Sequence, residues 1–365
     1  MTTIEMARDR HRNNLAAAIS WLRSTMDADA LAHADRMARV HNAYVVTARE
    51  KPLSDAFDRM IGNVAGLGGS DGVEKAGADK RRAIFVIGES GSGKTTAIQR
   101  QLSMRPQFQP RQDEHGRQVF PLVSFDAPKP LTLKLLAKKG LDEAGYPVLG
   151  KKQENEMWDL FKEQIKERSI LFLHIDEMQH VIKGNNPNEI HDIAAVVKSL
   201  LQIKDWPLHA IFAGVPSLAK FLEREKQLRN RCEIVRFEAM TFPSDMKLIQ
   251  TVLLRIVTVH AELEAASALE DQEFIHRLIH AADGAFGTII QVIRAAVAGV
   301  IYAKGSTVSP ADFSTVYKAF TGCTPDQDIF SAPGFLDINP NRALSKLIDD
   351  YEREEKAARE TGGQR

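Results

Sequence analysis

The sequence predicts an α/β domain, with a parallel sheet flanked by helices, followed by an all-helical domain. Three observations predict it. From Arg82 onward, short apolar runs alternate with helix-like segments. After Pro243 the strand-like runs stop and only helical periodicity remains. Between the first apolar run and the first helix lies Gly88-Glu89-Ser90-Gly91-Ser92-Gly93-Lys94-Thr95, which fits G-x-x-x-x-G-K-[ST] at every fixed position.

In chain order, residues 4–47 read as two helices, with Leu15, Ile19, Trp21 and Leu22 in the first and Leu31, Met37, Val40 and Val45 in the second. Residues 65–80 hold Gly66, Gly68, Gly69, Gly72 and Gly77 and read as a linker. Strands are expected at Ala83–Ile87, Val119–Phe125, Ile170–Ile175 and Leu208–Ala213, with a return to the sheet at Ile234, Val235 and Phe237. Helices are expected near 131–144, 152–167 and 188–204. In the second domain they fall at 244–260, 271–282, 286–304 and 309–319, punctuated by Gly284, Gly305 and Pro310. Residues 340–365 read as a charged helix ending near Gly362 and Gly363.

Lysine plus arginine and aspartate plus glutamate each total 48, so net charge exerts no global pull toward nucleic acid. A local basic stripe remains compatible with that balance. The chain has no run of about 18 apolar residues, and no membrane span is expected. Cys232 and Cys323 show neither metal-ligand spacing nor a disulfide framework, which suits a reducing, cytoplasmic setting.

The glycine-rich turn is built to hold phosphate. Glycines let successive backbone N–H groups turn inward, and the helix behind them adds its positive end. Gly88, Glu89, Ser90, Gly91, Ser92, Gly93, Lys94, Thr95 and Thr96 are the expected nucleotide-binding set. Lys94 would reach the β and γ phosphates of ATP, and the Thr95 hydroxyl would hold Mg²⁺.

The run Ile170–Ile175 leads into Asp176-Glu177. Asp176 is expected to orient Mg²⁺ through its water shell, and Glu177 to polarise the water that attacks the γ phosphate. His174 reads either as a buried histidine satisfied by the backbone or as a relay or ligand. Gln179 and His180 read as γ-phosphate sensors or as caps. Further on, Gln227-Leu228-Arg229-Asn230-Arg231-Cys232 precedes the last strand. An arginine there can serve the nucleotide of a neighbouring subunit. Arg229 and Arg231 are the candidates and Arg231 is preferred; the alternative is a surface arginine paired with Glu223 or Glu225.

These parts in this order resemble an AAA+ ATPase. Leu228–Val235 is similar to the arginine-finger stretch of the Holliday-junction motor family. A narrower resemblance is to the TniB/TnsC-type ATPases of DNA transposition. It rests on the P-loop, on Asp176–His180, on Gly214 with Gln227–Arg231, and on Gly284-Ala285-Phe286-Gly287 with Gly305-Ser306-Thr307-Val308. Arg36–Tyr44 is similar to that family's helical entry and Gly322-Cys323 to its C-terminal extension.

The resemblance implies an N-terminal helical region at 1–50, an AAA+ nucleotide-binding domain at 51–242, a helical lid at 243–321 and a C-terminal extension at 322–365. It implies a homo-oligomer, ring or filament, that assembles on double-stranded DNA with ATP. Such an assembly presents a target to a DDE-type transposase, with a target-selector protein as a further partner. The alternative is an ATP-gated scaffold related to replication initiators and helicase loaders. Lys129, Thr132 and Lys134, with Lys138, Lys139, Lys151 and Lys152 nearby, are the expected phosphate contacts to DNA, or else solvated helix-face lysines. The sequence departs from the family pattern in two places. Thr288 follows Gly287 where many lids carry an arginine, the nearest being Arg294. The strand ending at Gly214 has no strong polar sensor, only Val215 and Ser217. Slow ATP turnover is the expectation.

Overall fold

The structure, a computed structural model, describes residues 3–66, 81–129, 132–178 and 187–342, without the side chains of 3–12, 187–189 and Arg224. The expected Gln179 and His180, most of the glycine linker and most of the charged tail lie outside the described residues. The chain divides into two compact units: residues 1–18 with 48–238, and residues 19–47 with 239–365. The stretch 1–50, expected as one helical region, is shared between the two units.

Helix α1 (Thr3–Ser24) opens the chain, followed by α2 (Ala28–Asn42), capped where Asp27 accepts from Ala30 N–H at 2.7 Å. In α1, Leu15, Ile19, Trp21 and Leu22 are all exposed. Helix α3 (Lys51–Gly66) is one the sequence reading passes over. Its signal is nevertheless present: Leu53, Ala56, Phe57 and Met60 follow the i, i+3, i+4, i+7 spacing, and all four are buried.

The first unit is built on a five-stranded sheet. In chain order its elements are β1 (Ala83–Gly88), α4 (Lys94–Met104), the hairpin β2 (Arg111–Gln112) and β3 (Gln118–Val119), and β4 (Leu122–Asp126). Then come α5 (Leu133–Glu143), α6 (Glu154–Glu167), β5 (Phe172–Asp176), α7 (Pro187–Leu200) and β6 (His209–Gly214). The short helices α8 (Ser217–Arg224) and α9 (Lys226–Arg229) lead into β7 (Cys232–Phe237). The sheet order is β4-β5-β6-β1-β7 and every pairing is parallel. The single strand expected over Val119–Phe125 is split. Pro121 has no N–H for a ladder, and its carbonyl instead accepts from Leu171 and Phe172 N–H at 2.9 Å each.

The three inner strands are buried along their whole length, whereas β4 and β7 are partly exposed. Side chains alternate between two cores. Phe85, Ile87, Leu173, Ile175 and Phe212 pack with α5, α6, α7 and α8 through residues such as Leu141, Phe161 and Val197. Ile84, Val86, Phe172, Ile211 and Val235 pack with α3 and α4 through Phe57 and Ile98. Phe108 bridges that second core, edge-on to Phe57 at 5.6 Å and to Phe172 at 4.7 Å.

The second unit is mainly helical. Helix α10 (Met246–Leu254) runs into a π-turn at Arg255–His260. After it come α11 (Gln272–Ala281), α12 (Phe286–Tyr302) and α13 (Pro310–Thr321). The two-residue strands β8 (Glu264–Ala265) and β9 (Thr307–Val308) pair in parallel. Gly284 has φ +68°, and a Cβ there would lie 2.7 Å from Met240 O, so the turn between α11 and α12 requires glycine. Ser309 and Asp312 form a capping box at α13, and Gly322 ends it in the left-handed region. Among the described residues, no single helix is long and apolar enough to cross a membrane.

Residues 325–342 are strapped onto this unit. Arg277 donates to Ile329 O at 2.6 Å and Ala332 O at 2.8 Å, with its guanidinium 4.3 Å from the Phe335 ring centre. His280 Nε2 donates to Ile338 O at 2.8 Å. Asp328 is fully buried and accepts from the Ser314 hydroxyl, from Ser331 Oγ at 2.7 Å and from Phe330 N–H at 3.0 Å, with Lys318 Nζ at 3.2 Å. Burial opposes its charge, but these bonds hold the carboxyl below its ordinary range. Asp328→Ala would leave two hydroxyls and an N–H without their acceptor. We expect a loss of about 3 kcal/mol, read as a lower urea midpoint for the second unit; an unchanged midpoint would show the network to be idle.

Candidate functional site

The candidate site forms at the C-terminal end of β1, where the chain leaves an inner strand of the sheet for α4. Gly88 pairs with Phe237 across β1 and β7. A Cβ on Gly88 would lie 2.5 Å from Phe237 O and 2.9 Å from Ser92 Oγ, so packing against the edge strand excludes any side chain. Gly91 and Gly93 have φ of +73° and +92°, the left-handed region that folds the loop back on itself. Helix α4 starts at Lys94 without a side-chain cap, which leaves the first N–H groups directed toward the loop mouth. Glu89, Ser90, Thr95 and Thr96 line this mouth and are exposed, whereas Ser92 and Lys94 are buried.

Lys94 is oriented by the loop itself. Its Nζ donates to Gly88 O and Glu89 O at 2.8 Å each and lies 3.3 Å from Ser92 Oγ. Burial pushes its ammonium below the ordinary lysine value, against Asp176, Glu177 and Glu89, which favour the charge.

Strand β5 delivers the acids. The Thr95 hydroxyl donates to Asp176 Oδ2 at 2.6 Å, joining residues 81 positions apart. Asp176 is buried, and its Oδ1 accepts the Glu177 N–H at 2.7 Å. Glu177 has φ +58°, a conformation that non-glycine residues adopt rarely and that turns the chain sharply after the strand. The fold thus brings the cradle, a hydroxyl and two carboxylates together. This donor set fits a hydrated Mg²⁺ beside a triphosphate: oxygen ligands from Thr95 and Asp176, a cation at Lys94, and backbone N–H groups for the phosphates.

His174 lies two residues before Asp176, on the same face of β5. It is buried, with Nδ1 2.8 Å from Ser124 Oγ on the adjacent β4, its register partner. Its Nε2 is buried with no hydrogen-bond partner. The ring is buried, as one of the two expected alternatives has it, but its partner is a hydroxyl where that alternative has a backbone group. Cys232 donates to Leu228 O at 2.9 Å, and burial pushes its thiol up to about 12, so it stays a thiol.

Arg231 immediately precedes β7, at the opposite end of the sheet from Gly88. The six residues of β1 separate them by about 20 Å, so Arg231 does not reach the cradle of its own chain. Neither Glu223 nor Glu225 holds it; Glu225 is paired with Lys198 at 3.2 Å and His191 at 3.3 Å. Its partner is Gln202: a guanidinium only donates, so the amide presents Oε1, which accepts from Arg231 Nη2 at 2.7 Å and Nη1 at 3.2 Å. Arg229 is exposed.

Lys129 and Lys134 are exposed beside the C-terminal end of β4, and Thr132 caps α5 by accepting from Leu135 N–H at 3.1 Å. Lys139 is paired with Glu143 at 2.7 Å. In the second unit, Arg294 donates to Ala43 O at 2.8 Å, tying α12 to the segment after α2. Sequence reasoning misses Gln202, Ser124 and the Ser92 contact to Lys94. Only strand register and helix ends bring these groups to their partners, and no local pattern signals them.

Burial lowers the His174 pKa from 6.5, against Asp176 and Asp126, which favour the charged ring. An unfolded chain therefore binds more protons than the folded one just below pH 6.5, and stability falls as pH drops through that range. His174→Phe is expected to flatten this acid limb. Thermal melts at neutral and mildly acidic pH check it, and an unchanged slope removes His174 as the cause.

Comparison with solved structures finds the same fold. Cdc6p from Pyrobaculum aerophilum is 12% identical with a TM-score of 0.55, over 81% of this chain and 74% of that one. The Aeropyrum pernix ORC1 protein, solved in complex with DNA, is 15% identical with a TM-score of 0.51, over 80% and 70%. The Aeropyrum pernix ORC2 protein, solved as ADPNP–ADP complexes, is 14% identical with a TM-score of 0.50, over 79% and 75%. A search of curated protein sequences finds no match. The family model described as Bacterial TniB protein matches residues 69–274, more than half of the chain. With its phosphate cradle, acidic strand and AAA+ fold, the chain belongs to the TniB family.

Proposed function

We propose that this chain is an ATP-hydrolysing AAA+ regulator of DNA transposition. It oligomerises on duplex DNA with ATP bound and passes that target to a DDE-type transposase. The observation that carries the ATP reading is the 2.6 Å bond from Thr95 to Asp176 beside the buried Lys94. TniB membership supports the transposition reading. Lys94 holds the β and γ phosphates, Thr95 and Asp176 hold Mg²⁺, and Glu177 orients the attacking water. Mg²⁺, when bound, supplies charge neutralisation at the phosphates. Arg231, out of reach of its own cradle, serves the nucleotide of the next copy, and the exposed Arg229 is its competitor for that role.

A second reading, an ATP-gated scaffold like a replication initiator, draws support from the lid. Thr288 stands where many lids carry an arginine, and Arg294 is engaged by Ala43 O at 2.8 Å. Both features favour slow turnover, with nucleotide acting chiefly as assembly glue.

Two active-site variants test the nucleotide chemistry. Lys94→Ala is expected to abolish nucleotide binding in a fluorescent-nucleotide titration. Glu177→Gln is expected to retain binding, stop phosphate release and lengthen the lifetime of DNA-bound oligomers. Native phosphate release by Glu177→Gln would remove Glu177 from the chemistry. A transposase pull-down on DNA-loaded protein, set against one with a replicative helicase, separates the two readings.

The DNA surface has its own signature. Phosphate contacts release counterions, so affinity for duplex DNA should depend on ATP, fall steeply with salt and vary little with sequence. Lys129→Glu with Lys134→Glu should reduce both the affinity and the salt slope, the latter by about two. Native values for both quantities in a filter-binding titration would place the DNA elsewhere.

A further inference from the structure

The guanidinium of Arg231 is held before any neighbour arrives. Gln202 lies in the turn just after α7, and its one amide oxygen takes two N–H groups of Arg231, at 2.7 and 3.2 Å. The arginine backbone is fixed as well: Arg231 O accepts from Arg82 N at 2.9 Å and Ala83 N at 3.3 Å, locking it to the start of β1. Backbone and side chain are thus clamped at one corner of the sheet. The acceptor is neutral, so Arg231 keeps its full charge. A carboxylate in the same position would have neutralised it.

The corner is also open. Gln202 is exposed, and it lines a groove of about 890 Å³ between α6 and the turn after α7. Lys152, Lys162, Lys166 and Lys204 share that groove, with counter-charges from α6. The opposite end of the sheet carries the cradle with exposed Glu89, and exposed Asp126, Lys129 and Lys134 follow at the end of β4. A second copy approaching head to tail would bring the phosphates of its nucleotide to the corner that holds Arg231.

We propose that Gln202 is a positioning residue that aims Arg231 at the nucleotide of a neighbouring copy. The inference rests on the reading of Arg231 as a residue acting in trans. Arginine carries large rotamer entropy, and a preset guanidinium loses less of it on reaching phosphate. A neutral acceptor suits this task because a charge-assisted bond to phosphate is stronger than one to an amide, so the neighbour's γ phosphate can take over the N–H groups.

The test is a double-mutant cycle in the DNA-assembled protein: Gln202→Met, Arg231→Ala and the pair, with turnover, KM for ATP and melting temperature measured for each. Gln202→Met keeps the length but removes the acceptor. It should lower kcat by about tenfold, the scale of one bond to a charged group, while KM and melting temperature stay at native values. In the Arg231→Ala background it should cost nothing further. Gln202→Glu should fall to the level of Arg231→Ala, since the carboxylate neutralises and retains the guanidinium. Turnover of Gln202→Met within about twofold of native, or an equal drop with and without Arg231, overturns the positioning role. If Arg231→Ala itself turns over at the native rate, the in-trans reading of Arg231 fails instead, and Arg229→Ala becomes the variant to measure.

Discussion

Strand β1 is hydrogen-bonded on both edges, to β6 and to β7, and the rest of the first unit is arranged by that constraint. An inner strand has no exposed edge and both faces covered, so it is apolar throughout, as Ala83 to Ile87 are. Its C-terminal end is then a rigid platform. The loop that follows must turn within a few residues, hemmed in by Phe237 on one side. Only glycine fits at position 88, and left-handed glycines complete the turn. The cradle geometry is thus a packing consequence of where β1 sits as much as of the loop sequence.

The same sheet explains how distant residues become one site. From β1 the chain runs out to the edge strand β4 and works back through β5 and β6 before crossing to β7. In that order β5 carries Asp176 to the start of α4, where Thr95 binds it. Parallel pairing also gives the sheet two chemically different ends. The cradle, Thr95, Asp176 and Glu177 gather where strands finish. Arg231 and Gln202 meet where β7 begins and α7 has ended. A molecule with opposed ends of this kind is suited to head-to-tail contact between copies.

In the second unit the balance of forces differs. Among its described residues there is no extensive sheet to fix register, and polar clamps take that role. Arg277 gathers carbonyls from Ile329 and Ala332, Asp328 gathers two hydroxyls and an N–H, and Arg294 reaches Ala43. Each clamp joins segments that apolar packing alone would leave free to slide, because hydrogen bonds are directional and the hydrophobic effect is not.

Much of this was legible in the sequence, for a physical reason. Strand and helix identity depend on local periodicity, and the cradle on glycines at fixed spacing, so Gly88–Thr95, the strand before Asp176 and the helices after Pro243 could be read directly. Local pattern is also present for α3 in Leu53, Ala56, Phe57 and Met60, and Pro121 is the local cause of the break before β4. The tertiary structure alone decided which side chains meet. The pairing of β4 with β5 puts Ser124 on His174. The end of α7 puts Gln202 on Arg231 and leaves Glu225 to Lys198. Sequence specifies periodicity because that is a property of neighbours along the chain. Partner choice across the sheet depends on register and helix length, which are fixed only when the whole core packs.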